Sequence, residues 1–225
     1  MRERRRALHG RIVEAIESLY QDRLGGEVER LAHHAVRGEL REKAVRYLRE
    51  AGLKAAARSA LPDARRWLEQ ALGALEELPE SASTLNQGLE IRLDLRLVLN
   101  QLGEVRNALE RLREAEGLAD RLNDERQRGR VSATATNLHS LLGELDEALA
   151  SGTRALDIAA RLGDTRLRIL GTTYLEQAHY FRGEYERAVY RHTGKRSLAR
   201  DHIASAQAMY REMDMRSWLE KAQAL

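Results

Sequence analysis

The sequence predicts an all-α protein, a right-handed α-solenoid of helical hairpins with a period of about 40 residues. The pattern Gly-Glu-x-x-x-Ala returns at Gly103, Gly143 and Gly183, so that 40 residues separate each glycine from the next. Leu, Ala, Glu and Arg dominate the composition, and all four favour helix. Proline occurs only at positions 62 and 79. A fixed period of this size is typical of stacked hairpins, in which each unit covers the apolar face of its neighbour.

The composition excludes several classes of protein. The chain has 225 residues and no cysteine, which rules out disulfides, a thiol nucleophile and a cysteine-ligated zinc site. Its 43% hydrophobic and 32% charged residues are typical of a folded globular protein. No apolar run is long enough for a signal peptide or for crossing a bilayer. We therefore expect a cytoplasmic protein without a membrane partner.

The charges predict a solvated helical surface. There are 38 basic and 35 acidic residues, and opposite signs alternate at helix spacing, as in Glu110 and Arg113. A nucleic-acid surface would instead gather its positive charge on one face beside stacking groups. Only RERRR at residues 2–6 is locally dense in positive charge. Nucleic-acid binding through arginine therefore stands as an alternative rather than as the main interpretation.

Each repeat is predicted to be two helices joined by a tight turn. Asp124 and Asp164 precede helical runs and suit the N-cap position. The first helix of a repeat carries apolar positions to about Leu142 or Phe181, and the glycine that follows can close it in the left-handed conformation. A second helix begins at once with an acidic residue, which is favourable at the positive end of a helix dipole.

These units resemble the tetratricopeptide repeat (TPR). In that family Ala follows the turn glycine by five residues, a large residue comes four later and Ala three after that. GEVRNALERLREA matches with Leu112 at the large position, and GELDEALASGTRA matches with Gly152 there. In HAVRGELREKAVRYLREA the pattern begins at Gly38 and runs one residue late. The resemblance implies a non-enzymatic stack whose first helices line a concave groove.

The repeats divide the chain into four parts. The boundaries are a capping helix at 1–26, two irregular TPR-like hairpins at 27–82, regular repeats at 83–212 and a C-terminal capping helix at 213–225. The link at 77–83 is the most loop-like stretch, and Thr84 and Gln87 after it have capping-box spacing.

One step of the array is out of phase. Gly183 and Gly194 are only 11 residues apart. A helix of about ten residues, at 184–193, should therefore finish one hairpin and begin the next.

The two ends of the chain resemble a second family. ERRRALHGRIVEAIE near the N-terminus and YREMDMRSWLEKAQAL at the C-terminus are similar to the ends of the helical-repeat region of bacterial STAND-type signalling ATPases. These ATPases are associated with adenylate cyclase or transcription-regulator modules, and the resemblance implies that the region between the two ends is shortened here. The resemblance implies a regulatory scaffold or a small-molecule-sensing arm, and not the ATPase or the cyclase.

No motif for catalysis, a cofactor or a metal stands out. TGKRS at 193–197 lacks the glycine of a phosphate-binding loop, because position 189 is Val, and we interpret it as an inter-helix turn. His34, His139 and His179 occupy one repeat position, and the adjacent His33 points about 100° away on a helix. We interpret these histidines as packing residues rather than metal ligands. No nucleophile–base pair appears, so we expect no enzyme and no cofactor.

The remaining candidate site is the predicted groove. By register with Gly143 and Gly183, one set of polar and aromatic side chains should project from the first helices of two repeats. This set comprises Arg130, Thr134, Asn137, Ser140, Thr173, Tyr174, Gln177 and Tyr180. Amides, hydroxyls and arginine suit an extended peptide, whose backbone needs hydrogen-bond partners. The alternative is that these side chains are merely solvated.

The sequence therefore favours an interaction module that binds a protein or peptide segment, within a signalling protein. A small-molecule-sensing arm, arginine-mediated nucleic-acid binding and a purely architectural array are the alternatives.

Overall fold

The computed structural model describes residues 2–193, and side chains through residue 183. Within this part the chain forms α-helices, one short 3-10 helix at Gln21–Arg23 and no strand. The helices are α1 Arg2–Leu19, α2 Leu24–Arg37, α3 Arg41–Ala57, α4 Leu61–Glu76, α5 Ala82–Gln101, α6 Val105–Arg121, α7 Glu125–Leu142, α8 Leu145–Leu162 and α9 Thr165–Thr193. This all-α series of helical hairpins confirms the predicted α-solenoid class. None of the helices described is both long and apolar enough to cross a membrane.

Part of the sequence prediction lies outside the described residues. The hairpin expected at Gly194, the turn expected for most of TGKRS at 193–197, and the C-terminal capping helix at 213–225 all fall there.

Six of the described helices, α2, α3, α5, α6, α7 and α8, are closed by turns of one kind. In each turn a single residue has a positive φ, between 49° and 78°. These residues are Glu39, Ser59, Gly103, Asn123, Gly143 and Gly163. At Gly103 the backbone N–H donates to Asn100 O at 3.0 Å, and the next N–H, of Glu104, reaches back to Leu99 O at 2.9 Å. This pair of bonds is the Schellman closure of a helix C-terminus, and it recurs at the other five turns.

The residue after each left-handed position also begins the next helix. Glu104 O accepts the Ala108 N–H at 3.0 Å, so one turn ends α5 and starts α6 without a connecting loop. At Asp124 the side chain contributes as well, because its Oδ1 accepts the Gln127 N–H at 3.0 Å. Asp164 does the same for Leu167, at 3.0 Å, in the next repeat. Both predicted N-caps are therefore confirmed.

The first repeat shows why its pattern runs one residue late. Gly38 has an ordinary right-handed φ of −82°, and Glu39 takes the left-handed position with φ 54°. Ala44 then lies five residues beyond the left-handed residue, as Ala108 does beyond Gly103. Glycine favours the left-handed region but is not required there, so the sequence located the turn only to within one residue.

The left-handed residues are spaced by 20 positions except between Ser59 and Gly103, where four additional residues lie in the link after α4. The link ends in a capping box of Ser81 and Thr84. The Thr84 N–H donates to Ser81 Oγ at 3.1 Å, and the Ser81 N–H donates to Thr84 Oγ1 at 2.8 Å. The expected capping box of Thr84 and Gln87 is therefore wrong. Helix α5 begins one turn earlier than expected, because Ser81 is extended and its hydroxyl already caps the helix.

The expected turn at Gly183 is also wrong. Helix α9 runs through this glycine to Thr193, so 184–193 continue one helix instead of joining two hairpins. Glycine permits a left-handed turn without forcing one, and the two backbone bonds that close the helix at Gly143 have no counterpart at Gly183 among the described residues.

The chain divides into two compact units, Met1–Val131 and Ser132–Leu225. In the first unit, each helix from α1 to α6 packs on the next in chain order. Its fully buried large side chains are Val13, Leu31, Val45, Tyr47, Leu48, Leu68, Leu89, Ile91, Leu95, Leu112 and Val131. In the described part of the second unit, α8 packs on α9. One core cluster there comprises Ala133, Ala155, Ile158, Ala159 and Leu167.

Replacing Ser59 by Gly should stabilise the protein. Ser59 has φ 59°, and a left-handed conformation costs an L-residue with a side chain roughly 1–2 kcal/mol. We expect the free energy of unfolding to rise by about 1 kcal/mol in urea denaturation. Gly103→Ala is the matched reverse change at φ 78° and should lower it by a similar amount. An unchanged free energy of unfolding in Ser59→Gly would contradict the claim that the left-handed conformation of Ser59 destabilises the protein.

Gly52 allows α3 and α4 to approach closely. A Cβ at this position would lie 2.7 Å from Leu68 Cγ and 3.3 Å from the backbone oxygen of Ala64. Neither atom is the free end of a flexible chain, so the two helices would have to separate.

We expect Gly52→Ala to lower the free energy of unfolding by roughly 1–3 kcal/mol, even though Ala is the better helix former. Gly73→Ala is the control, because nothing lies within 4 Å of a Cβ there and Ala should add up to about 1 kcal/mol. Equal effects of the two changes, measured by urea denaturation, would contradict the close approach.

Candidate functional site

A network of ion pairs joins three helices of the first unit. Glu90 on α5 accepts from Arg130 Nη1 on α7 at 2.5 Å and lies 3.6 Å from Arg49 Nη2 on α3. Arg49 Nε also donates to Asp94, one turn further along α5, at 2.6 Å. Because Arg130 follows Glu90 by 40 residues, the repeat period itself brings these two side chains together.

The network acts differently on its two carboxyl groups. Burial raises the pKa of Glu90, but the hydrogen bonds from Arg130 and Gln127 and the charges of the arginines outweigh it, so its pKa is lowered. Burial is also the largest influence on Asp94, and there it outweighs the bond from Arg49, so the pKa of Asp94 is raised. Glu90 is therefore the carboxylate that the arginines hold ionised.

A second polar contact lies at the same period in the second unit. Asn137 Nδ2 on α7 donates to Gln177 Oε1 on α9 at 2.7 Å, and the two residues are 40 positions apart. No hydrogen bond to a described residue uses the other end of either amide. The pair therefore retains one acceptor, Asn137 Oδ1, on a residue that is 8% exposed, and one donor, Gln177 Nε2, on a half-buried residue.

The structure keeps some predicted groove residues accessible and buries others. The Arg130 side chain is 37% exposed and forms an ion pair with Glu90. Thr173 on α9 is exposed. Tyr180 is 40% exposed. Tyr174 is only half-buried, although its ring packs against the core cluster of the second unit.

Thr134 and Ser140 require a correction. They are 4% and 1% exposed, and Ser140 Oγ donates to the Thr136 carbonyl of its own helix at 2.7 Å. Small hydroxyl residues that return a bond to the helix backbone lose their need for water and can be buried. Neither side chain is open to a ligand.

The repeat-position histidines make local contacts. His34 Nδ1 lies 2.8 Å from Nδ1 of His9 on α1, and burial, followed by the neighbouring imidazoles, lowers the pKa of His34. His139 Nδ1 contacts the carboxylate of Glu144 at 2.7 Å. Burial is the main cause that lowers the pKa of His179. Within the described residues, no group of three or more potential ligands is placed to hold a metal ion.

Sequence reasoning missed a cavity of about 850 Å³ in the first unit. It lies between α3, α5 and the link that joins α4 to α5, and we call it the α3–α5 groove. Its lining comprises Glu42, Lys43, Val45, Arg46, Arg49, Glu50, Leu53, Leu78, Pro79, Ser81, Ser83, Thr84, Gln87 and Ile91. The signal in the sequence was the interruption of the 20-residue spacing, because the four additional residues of the link form one wall.

Glu90→Gln should remove part of the acid sensitivity of folding. The pKa of Glu90 is lower in the folded than in the unfolded chain, so its stabilisation is complete above roughly pH 4.5 and is lost as the pH falls through the folded pKa. We expect the variant to lose about 1 kcal/mol of unfolding free energy at pH 7 and to show a shallower loss between about pH 5 and pH 3.

Urea denaturation at several pH values measures this. Glu110→Gln is the control, because Glu110 is exposed on α6 and has no described partner. Parallel pH profiles for Glu90→Gln and the unchanged protein would contradict the assignment.

Solved structures share this fold. BtubC (BKLC) from P. vanneervenii superposes with a TM-score of 0.54 at 19% identity, over 95% of this chain and 92% of that one. A putative kinesin light chain from Podosopora anserina with nearly identical TPR-like repeats gives 0.54 at 16% identity, over 95% and 98%. The Pyrococcus horikoshii STAND protein with a TPR sensor gives 0.54 at 16% identity, over 95% of this chain and 33% of that protein.

The fold of the chain is therefore TPR-like, as the resemblance of its repeats implied. No protein-family model matches the chain, and no curated protein matches it.

Proposed function

We propose that this protein is a non-enzymatic interaction module that binds a peptide or protein segment on the polar face formed by α7 and α9. The observation that carries this proposal is the contact between the Asn137 and Gln177 amides. It leaves an acceptor and a donor side by side, which is the complement of a peptide group, with its own N–H and C=O.

Other side chains of α9 support this use. Thr173, Gln177 and Tyr180 follow at i, i+4 and i+7, so they share one face of the helix. Tyr180 is 40% exposed, and a tyrosine ring supplies a large rigid contact area at low entropic cost. With Tyr174 beside them, these side chains combine the amide and aromatic groups that an extended segment needs.

Arg130 lies on the part of α7 that belongs to the first unit, where Glu90 and Gln127 hold its guanidinium, and it is not part of this proposal. The proposal therefore keeps Asn137, Thr173, Tyr174, Gln177 and Tyr180, and omits the two buried hydroxyl residues.

The test is selection of binding peptides from a random displayed library, followed by calorimetry. We expect Asn137→Ala combined with Gln177→Ala to weaken the selected peptides about tenfold or more, because a bound peptide group would lose both partners. Gln70→Ala combined with Asn107→Ala is the matched control, since it removes the same two side chains from exposed positions on α4 and α6. A library that yields no binder, or binders indifferent to the first pair, would refute the proposal.

A small-molecule-sensing arm is the second candidate, favoured by the resemblance of the chain ends to STAND-type ATPases. A ligand that binds the folded protein raises its melting temperature by mass action. A metabolite that raises it equally in the Asn137→Ala, Gln177→Ala variant would favour this candidate over peptide binding on α7 and α9. The ion pairs of Arg49 and Arg130 give no support to nucleic-acid binding, because their charges are already matched by Glu90 and Asp94.

A further inference from the structure

A charge pattern runs along the α3 wall of the α3–α5 groove. Glu42, Arg46 and Glu50 follow at i, i+4 and i+8, and all three line the groove. Side chains at this spacing could pair within the helix, but Arg46 instead donates to Glu17 on α1 at 3.2 Å. Among the described residues, Glu42 and Glu50 have no hydrogen-bond or ion-pair partner.

The other two cations of the groove are held by acids behind it. Lys43 donates to Glu17 at 2.6 Å, and Arg49 donates to Asp94 at 2.6 Å. Arg46 also donates to Glu17, but its side chain is 53% exposed and its described bonds use only Nη2, leaving Nε and Nη1. The groups that the groove offers to a ligand are therefore acidic, basic and acidic in order along α3.

This pattern matches an extended chain in its repeat distance. Residues four apart on a helix are separated by about 6 Å along its axis. Side chains on one edge of an extended chain repeat every two residues, at about 6.6 Å. A segment with basic, acidic and basic side chains at alternate positions would thus meet Glu42, Arg46 and Glu50 in register.

The opposite edge of such a segment would face an apolar wall. Leu78 and Pro79 of the link line the groove across from α3, and Leu53 is 42% exposed within it. Apolar side chains at the intervening positions would cover these surfaces. The volume of about 850 Å³ lies within the roughly 300–1,000 Å³ of ligand-binding clefts.

We propose that the α3–α5 groove binds an extended peptide segment of alternating character, with the order basic, apolar, acidic, apolar, basic. This site lies within the first unit and goes beyond the function proposed for α7 and α9. The binding is electrostatically selective, since Glu42 and Glu50 each gain a partner that the described part of the chain does not provide.

Fluorescence anisotropy with two labelled peptides of identical composition tests the proposal. The first carries Arg-Leu-Glu-Leu-Arg between Gly-Ser and Ser-Gly ends, and the second carries Arg-Leu-Arg-Leu-Glu in the same frame. We expect the first to bind the full chain with a Kd below about 1 mM, and the second to bind about tenfold more weakly. Binding of the first should also weaken as salt is raised.

Variants locate the site. Glu42→Gln combined with Glu50→Gln should weaken the first peptide about tenfold, because each exposed ion pair contributes modestly. Glu110→Gln combined with Glu147→Gln removes two exposed carboxylates elsewhere that have no partner among residues 2–183, and should leave binding unchanged. Asn137→Ala combined with Gln177→Ala should also leave it unchanged, which separates this site from the proposed function. Circular dichroism confirms that each variant is folded.

Three results would overturn the proposal. They are no binding of the first peptide up to about 1 mM, equal binding of both peptides, and unchanged binding by the Glu42→Gln, Glu50→Gln variant.

Discussion

The left-handed residue that closes six of the described helices is the constraint on which the rest of this structure depends. It lets two backbone N–H groups satisfy the last carbonyls of one helix, and the very next residue starts another helix. Because no loop intervenes, the spacing of these turns fixes helix length and register. Side chains 40 residues apart then meet on alternate helices, as Glu90 meets Arg130 and Asn137 meets Gln177. The contacts at the candidate sites follow from the turns.

Regular spacing also explains where the groove lies. The step from Ser59 to Gly103 contains four more residues than two regular modules, and these form the link before α5. A link with its own capping box is a stable wall, because Ser81 and Thr84 satisfy each other's backbone N–H groups. A departure from a repeat can thus create a binding surface that the regular repeats do not provide.

Pairing divides the charged residues into two groups with different physical roles. Those with partners, such as Arg49 and Glu90, hold neighbouring helices in register. Those without described partners, such as Glu42 and Glu50, contribute little to the fold and are available to a ligand. Composition could not tell paired from unpaired charges, since the 38 basic and 35 acidic residues alternate at the same helical spacing throughout the sequence.

The sequence by itself determined the helical hairpins, the 40-residue period and the N-caps at Asp124 and Asp164, because these depend on local propensity and on glycine and aspartate at fixed positions. It did not determine that Glu39 rather than Gly38 is left-handed, or that α9 continues through Gly183. Glycine permits either conformation, so packing and backbone hydrogen bonds decide between them.

Tertiary structure alone also decided which partners the polar side chains find. Ser140 and Asn137 share one helix and one predicted face, and both are buried, but Ser140 donates to the backbone of its own helix, whereas Asn137 donates to Gln177 on another helix. The choice depends on a partner 40 residues away and on burial, which no local pattern records.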